Sequence, residues 1–180
     1  MDISDFTPEQ IDKMIDGLFA KLKIQRWKPS KEELEDEITD FLNKMHCCSL
    51  ATCGKDGVPR ISVVDYVNDG LNIYIFTEGG QKLKNIKENN KVAVGIGVST
   101  LSMKAVRGVN IRGTADVFTD DMPEYEEAKK LFKPVFDNFL KDTGTPLNVP
   151  KGLSKIIRII PYEIVYYHNN RGIYAAHWKP

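Results

Sequence analysis

The segment NIYIFTEGGQKLKNIKENNKVAVGI, residues 72–96, carries the clearest structural signal in the chain because its side-chain periodicity changes twice. Alternating side chains from Leu71 to Thr77 predict a strand, and Gly79-Gly80 should end it. Gln81–Glu88 follows as a predicted short helix. Valine and isoleucine then alternate with small residues from position 92 to 98, which predicts another strand. The segment therefore places a glycine turn and a helix N-terminus at the end of a strand.

Short strands with alternating side chains are predicted throughout residues 49–167. There are six or so, at Ser49–Thr52, Ile61–Val67, Leu71–Thr77, Val92–Val98, Val109–Val117 and Ile156–Tyr167. Gly54-Lys55-Asp56-Gly57 and Asn68-Asp69-Gly70 are typical hairpin turns. The sixth strand should be interrupted at Pro161, and Gly172–Trp178 is a candidate for a final short strand. Short strands joined by tight turns indicate a closed antiparallel barrel.

Helices are predicted before the first strand and after the fifth. Thr7-Pro8-Glu9-Gln10 is typical of an N-cap with proline at the first helical position, and Ser30 with Glu33 forms a second capping box. Each start precedes an amphipathic run. A long third helix is predicted over residues 121–142, where Pro134 should kink or divide it.

The predicted fold is mainly β with added helices (α+β): a six-stranded antiparallel split β-barrel with two N-terminal helices and one long helix after strand five. We expect a single domain, 1–180. It comprises a helical extension, 1–45, and a barrel, 46–180, that carries the inserted helix.

The composition indicates a globular, cytoplasmic protein. Hydrophobic residues make up 42% of the 180 positions and charged residues 28%. Lysine plus arginine equals aspartate plus glutamate at 25 each, which argues against nucleic-acid and anionic-membrane partners. No signal peptide or apolar run of about 20 residues is present. Cys47, Cys48 and Cys53 lack zinc-site spacing and should be reduced thiols, and no metal site is expected.

One constellation suggests an anion site. A barrel of this size fills its interior with valine and isoleucine, so a ligand should bind on the outer face or at an edge. Ile61 and Val63 share one face of the second strand, which leaves Arg60 and Ser62 facing outward. Free N–H groups at the start of the next helix, together with Lys82, would complete a phosphate site. The same pattern also fits ordinary solvated residues at a strand–helix junction.

Three segments resemble the FMN-binding split barrel of the pyridoxamine 5'-phosphate oxidase family. They are CSLATCGKDGVPRISVVDY, the segment quoted first, and VNIRGTADVF; RIIPYEIVYY also resembles the last barrel strand of that family. The resemblance covers about half of the chain and excludes the N-terminal helices. It implies FMN as the cofactor, bound at the interface of a homodimer.

The resemblance also implies a role for particular residues. Arg60 and Lys82 would bind the FMN phosphate, with Gln81 nearby. The backbone of Ile61, Ser62, Val63 and Val64 would lie along the isoalloxazine ring, as would Phe76 and Thr77. Tyr167 matches an aromatic residue in the last strand of the oxidase, although interface packing explains it equally well.

Three departures argue against pyridoxamine phosphate as the substrate. Asp65 occupies a position where the oxidase has a lysine, and a carboxylate there would repel a substrate phosphate. Gly108 replaces a polar amide, and the C-terminal GIYAAHWKP lacks the pattern that recognises pyridoxal phosphate in that enzyme.

The leading hypothesis is an FMN-dependent oxidoreductase that passes hydride from a reduced nicotinamide to a small-molecule acceptor, with no indispensable acid or base side chain. A non-enzymatic FMN carrier or redox sensor would share every contact residue. A haem-binding barrel is a third hypothesis, with His168 and His177 as the residues that could face the haem; otherwise these histidines and His46 are surface or interface residues.

Overall fold

The computed structural model describes residues 6–180, which form eight strands and five α-helices. In chain order these are α1 (Pro8–Leu22), α2 (Lys31–Lys44), β1 (Cys47–Cys53), β2 (Pro59–Asp65), β3 (Val67–Asp69), β4 (Asn72–Thr77), α3 (Gln81–Glu88), β5 (Lys91–Gly97), β6 (Arg107–Thr119), α4 (Pro123–Lys130), α5 (Lys133–Thr143), β7 (Lys155–His168) and β8 (Ile173–Trp178). None of these helices is both long and apolar enough to cross a membrane. The mixed α+β class is as predicted.

All strand pairs are antiparallel, and the strand order is β2-β1-β5-β6-β7-β4-β3, with β8 also paired to β7. The first and last strands of this order are joined by Tyr66 alone. Because one residue cannot span a flat sheet of this width, the sheet curls until its two edges meet. The curl encloses a core of aliphatic side chains from β1, β4, β5, β6 and β7.

The predicted count of six strands is wrong. Tyr66 donates its backbone N–H to the carbonyl of His46, which removes it from the ladder and divides the predicted second strand into β2 and β3. Residues 173–178 add β8. Pro161 does not interrupt β7; instead the pairing with β6 shifts between Arg112 and Gly113, and the strand continues. A bulge of this kind accommodates a residue that has no N–H to donate.

The single long helix predicted over 121–142 is also wrong, because two shorter helices occupy that span. α4 ends at Lys130, and α5 begins at Lys133 with Pro134 in its first turn. Proline is tolerated there because its missing N–H would have no partner within the helix. The division predicted from Pro134 is therefore confirmed, with the break at residues 131–132. Gly144, in the left-handed conformation, caps the end of α5.

The N-terminal helices begin at the predicted capping boxes, with Thr7 and Ser30 as N-caps. α2 buries Leu34, Ile38, Phe41 and Leu42 against the barrel.

A polar network fastens the same helix to the barrel. Arg107 on β6 donates to Asp40 at 3.0 Å and to the hydroxyl of Tyr166 at 2.8 Å. His168 Nδ1 lies 3.1 Å from Glu37 Oε2. Apolar and charged contacts therefore both hold α2 in place.

Candidate functional site

The two edges of the curled sheet face each other across a gap in which backbone groups lack strand partners. Within the described chain, β2 pairs only with β1. β4 pairs with β3 only over Asn72–Tyr74, so Ile75–Thr77 are paired on the β7 side alone. β2 and β4 approach each other here. We call this gap the seam, and it is formed by Arg60–Val64 and Ile75–Thr77. The unpaired backbone N–H and C=O groups that border it can form hydrogen bonds to the edge of a planar ligand.

The side chains of β2 point in the opposite directions from those predicted. Ile61 and Val63 are 71% and 72% exposed, whereas Ser62 is half-buried. Ser62 pairs with the fully buried Leu50, and directly paired residues share a face of the sheet. The prediction that Arg60 and Ser62 face outward is therefore wrong, because the apolar residues of this strand form the outer surface.

Arg60 nevertheless remains accessible because it lies near the start of β2, beside the hairpin turn. Its side chain is 48% exposed and its guanidinium lies 4.0 Å from the carboxylate of Asp56. An exposed ion pair of this kind contributes at most about 1 kcal/mol, so a bound anion can compete for the arginine.

A hydrogen-bond chain links this end of β2 to α3. Arg60 pairs in register with Thr52, whose hydroxyl accepts a hydrogen bond from Asn85 of α3 at 3.1 Å. Gln81 donates to the Oδ1 atom of Asn85 at 2.9 Å. The fully buried Asn85 amide therefore fixes the start of α3 against the strand pair that carries Arg60.

The start of α3 has the features of an anion site. Gly80 precedes the helix with φ 101° and ψ −177°, a conformation essentially restricted to glycine. No side chain caps this helix. Leu83 donates its N–H to the carbonyl of Gly80, which leaves the N–H groups of Gln81 and Lys82 able to donate to a ligand. The ammonium group of Lys82 lies over the turn and donates to the carbonyl of Gly79 at 2.7 Å. The donor set suits a phosphate group.

Phe76 and Thr77 lie on the β4 edge of the seam, but their side chains point elsewhere. The Phe76 ring packs 5.7 Å from the rings of both Phe132 and Phe136, between β4 and the helices that follow β6. Thr77 is buried. Only the backbone of these two residues is therefore directed along the seam.

Tyr167 lies in a groove on the outer face of the sheet, and among the seam residues only Ile61 also lines this groove. This groove has a volume of about 530 Å³ and also contains Ile61 and His177, over a floor of small residues that includes Ala51 and Gly95. Within one chain, the structure therefore brings nine of the ten predicted residues to the seam and its α3 end and places Tyr167 on another surface.

Two groups beneath the seam stay neutral at physiological pH. Burial, reinforced by Cys47 and Asp65, raises the pKa of the Cys48 thiol to about 12. Burial also raises the pKa of Tyr66, whose hydroxyl donates to the carbonyl of Leu42. The Cys48 thiol is therefore not a reactive thiolate.

The histidines do not converge. His46 lies between α2 and β1, His168 contacts Glu37, and His177 lies in the outer groove. Among residues 6–180, no three His, Cys, Asp or Glu side chains are grouped closely enough to hold a metal ion.

Sequence reasoning missed the role of Asn85 and the reason for Gly108. A buried asparagine within a polar helix gives no signal that it joins two elements. A Cβ atom at position 108 would lie 2.9 Å from the carbonyl oxygen of Ile96, so β5 and β6 can pair this closely only with glycine there. The amide that the oxidase has at this position therefore has no room in this backbone.

The family is decided by comparison with known proteins. The family model described as pyridoxamine 5'-phosphate oxidase matches residues 34–165, well over half of the chain. The chain belongs to the pyridoxamine 5'-phosphate oxidase family. The match begins within α2, so α1 lies outside it. None of the curated proteins compared with the chain matches it.

Solved structures share the fold at low identity. General stress protein 26 from Bacillus anthracis is 19% identical, with a TM-score of 0.59 over 82% of this chain and 98% of that one. An FAD-binding protein from Mesorhizobium loti is 19% identical (TM-score 0.55; 71% and 87%). The heme storage protein HutZ from Vibrio cholerae is 17% identical (TM-score 0.55; 71% and 89%). Similar folds thus occur in proteins named for flavin and for haem.

Proposed function

We propose that the chain binds FMN in the seam and acts as a flavin-dependent oxidoreductase. The single observation that supports this most strongly is the convergence of two unpaired strand edges with an uncapped, glycine-led helix start. Family membership and an FAD-binding structural neighbour support a flavin over other planar ligands.

The seam suits the edge of an isoalloxazine ring. Such a ring presents alternating hydrogen-bond donors and acceptors, and the free edge of β2 presents alternating N–H and C=O groups. The backbone of Ile61–Val64 would bind the ring on one side, and Phe76 and Thr77 would flank it on the other. Backbone donors in a folded sheet are rigid and remain in place when the ring gains negative charge on reduction.

The phosphate would bind at the opposite end of the same site. Arg60 provides a planar, bidentate donor, and Lys82 a mobile point charge. The free N–H groups of α3 add the partial positive charge of a helix N-terminus. Gln81 would contribute by holding Asn85, and thereby the start of the helix, in position.

A bound flavin would supply the chemistry of hydride transfer between a reduced nicotinamide and a small acceptor. The residues of the chain bind the cofactor, orient it and limit its access to water. We assign no side chain as an essential acid or base.

We also propose that the chain forms a homodimer through the outer face that contains the Tyr167 groove. Ile61 and Val63 expose apolar side chains there, and the floor of small residues allows another surface to approach closely. In a dimer, Tyr167 would reach the seam of the partner, which accounts for its separation from the seam in its own chain. Val63→Lys should convert the dimer to a monomer in light-scattering measurements; an unchanged dimer would exclude this face.

The double variant Arg60→Ala/Lys82→Ala tests the phosphate site. Each charge-assisted hydrogen bond to a phosphate contributes about 1.5–3 kcal/mol, so FMN binding should weaken about 100-fold or more. Lys84→Ala/Lys87→Ala removes two charges from exposed positions of the same helix and serves as the control. Fluorescence titration of the apoprotein with FMN measures both. Equal affinities in the two double variants would refute the phosphate assignment.

Two other functions are separable by experiment. An FMN carrier or redox sensor would have the same binding site, but anaerobic NADH and NADPH would bleach its flavin only slowly. A haem-binding function draws support from His177, an exposed imidazole beside Tyr167 in the outer groove, and from the heme storage neighbour. That function predicts a Soret band on purification and its loss in His177→Ala.

A further inference from the structure

A second cavity lies beyond the end of β2, where the α2–β1 junction, β3 and α5 meet. Its volume is about 490 Å³. Four of its lining residues, which we call the apolar wall, are Val67, Leu131, Pro134 and Val135. The other lining residues are Tyr66 and the polar groups Asp65, His46, Asn43, Asn68 and Asn138. The cavity therefore combines an apolar surface with hydrogen-bonding groups, which is typical of a site for a small molecule.

Asp65 gives this cavity its charge. It is the only carboxylate among the lining residues, and no lysine or arginine lines the cavity. Lys130 and Lys133 directly precede Leu131 and Pro134 in sequence, and they are paired with Glu127 at 2.7 Å and with Asp137 at 2.5 Å. Asp65 itself is exposed and forms no salt bridge within residues 6–180. An unpaired carboxylate that shares a cavity with apolar side chains attracts a cation and repels an anion.

The cavity adjoins the proposed flavin site along the backbone. Asp65 directly follows Val64, the last residue of the seam on β2, and pairs in register with Cys47, the neighbour of His46. A ligand bound beside Asp65 would therefore lie at the end of the strand that we propose to contact the flavin ring.

We propose that this cavity binds the small-molecule substrate, and that this substrate is an apolar molecule with a protonated nitrogen and without a phosphate group. The assignment of the ligand as substrate rests on the proposed flavin function. The preference of the cavity for a cation depends only on Asp65 and the apolar wall.

The preference of the cavity for a cation is tested by the binding of three probes that have similar shapes. Benzylamine, benzyl alcohol and benzoate share an aromatic body and differ in charge. Amide resonances of the ¹⁵N-labelled full-length protein report both the affinity and the location of binding. Benzylamine should shift the resonances of Val67 and Asn68 and should bind more tightly than the alcohol, while benzoate should bind most weakly.

Variants of Asp65 provide the decisive comparison. Asp65→Asn removes the charge at constant size, so it should weaken the binding of benzylamine about three- to fivefold. The affinity for benzyl alcohol should not change. Asp65→Glu should retain the preference. Asp69→Asn removes an exposed carboxylate that does not line the cavity and is the matched control. The dispersion of the amide spectrum verifies that each variant is folded.

Two outcomes would overturn the proposal: benzoate binding as tightly as benzylamine, or Asp65→Asn leaving the preference intact. Flavin content is measured on the same samples. If the protein neither contains flavin nor takes up added FMN while the Asp65-dependent preference for benzylamine persists, the proposed flavin function fails and the cation site stands. If flavin is present but the protein does not bind benzylamine more tightly than benzyl alcohol and benzoate, only the proposed cation site fails.

Discussion

Replacement of Gly80 by alanine tests whether the turn before α3 is under conformational constraint. Gly80 has φ 101° and ψ −177°, and holding a non-glycine residue in such a region costs about 1–3 kcal/mol. A Cβ atom there would meet only the ammonium of Lys82, at 3.8 Å, which is ordinary contact. The penalty is therefore conformational and not steric.

The adjacent Gly79 is the matched control. A Cβ at Gly79 meets nothing within 4 Å, and its φ lies outside the positive range. Gly79→Ala should change the free energy of unfolding by less than about 0.5 kcal/mol. Gly80→Ala should lower the free energy of unfolding by about 2 kcal/mol if the turn keeps its conformation. If the turn instead changes its conformation, the N–H groups of α3 move away from the phosphate site. The same free energy of about 2 kcal/mol would then be lost from FMN binding, which corresponds to an affinity about 30-fold lower.

Urea denaturation of the apoprotein and fluorescence titration with FMN measure these two effects separately. The reasoning is refuted if both alanine variants match the wild type in stability and in FMN affinity, or if the Gly79 variant is the more impaired.

Three further predictions concern the rest of the molecule. Burial lowers the pKa of His168 below its ordinary 6.5, so the unfolded chain takes up a proton at a higher pH than the folded protein does. Stability to urea should therefore decrease as the pH falls below about 6.5, and His168→Gln should reduce this dependence of stability on pH. Iodoacetamide at pH 8 should label the exposed Cys47 and spare the buried Cys48 in the folded protein, as read by mass spectrometry. Gly172→Ala places a Cβ into the carbonyl oxygen of Gln25 at positive φ, so it should destabilise the protein by more than about 2 kcal/mol and expose the N-terminal helices to limited proteolysis.

The elements with local signals were predictable from the sequence. Glycine pairs, capping boxes and alternating runs act within a few residues, so α1, α2, α3 and β5 begin close to where the sequence places them. The division of the 121–142 helix followed from Pro134 for the same reason. The exact number of strands did not follow, because Tyr66 leaves the ladder through a contact with His46 that has no sequence signature.

The faces of β2 could not be predicted from alternation alone. That rule assumes that apolar side chains point into the core, but Ile61 and Val63 point outward and Ser62 points inward. The proposed dimer interface offers a physical reason, since an outer face that binds a second chain is apolar as well. Alternation in one chain cannot distinguish a core from an interface.

The residue types of the site could be predicted from the sequence more readily than their arrangement in space. Arg60, Lys82 and the two glycines were identified by residue type and order. The seam depends on which strands are neighbours, and the Thr52–Asn85 bond that positions α3 joins residues 33 positions apart. Contacts at such separation are set by the completed fold, and a single sequence does not encode them as a pattern.

The visible absorption spectrum of the freshly purified protein, with mass identification of the released small molecule, tests the central claim most directly. A flavin-binding seam predicts the two-banded spectrum of oxidised flavin and release of FMN in an amount equimolar to the chain. A Soret band without flavin, or a colourless protein that takes up no FMN when incubated with it, would contradict the account.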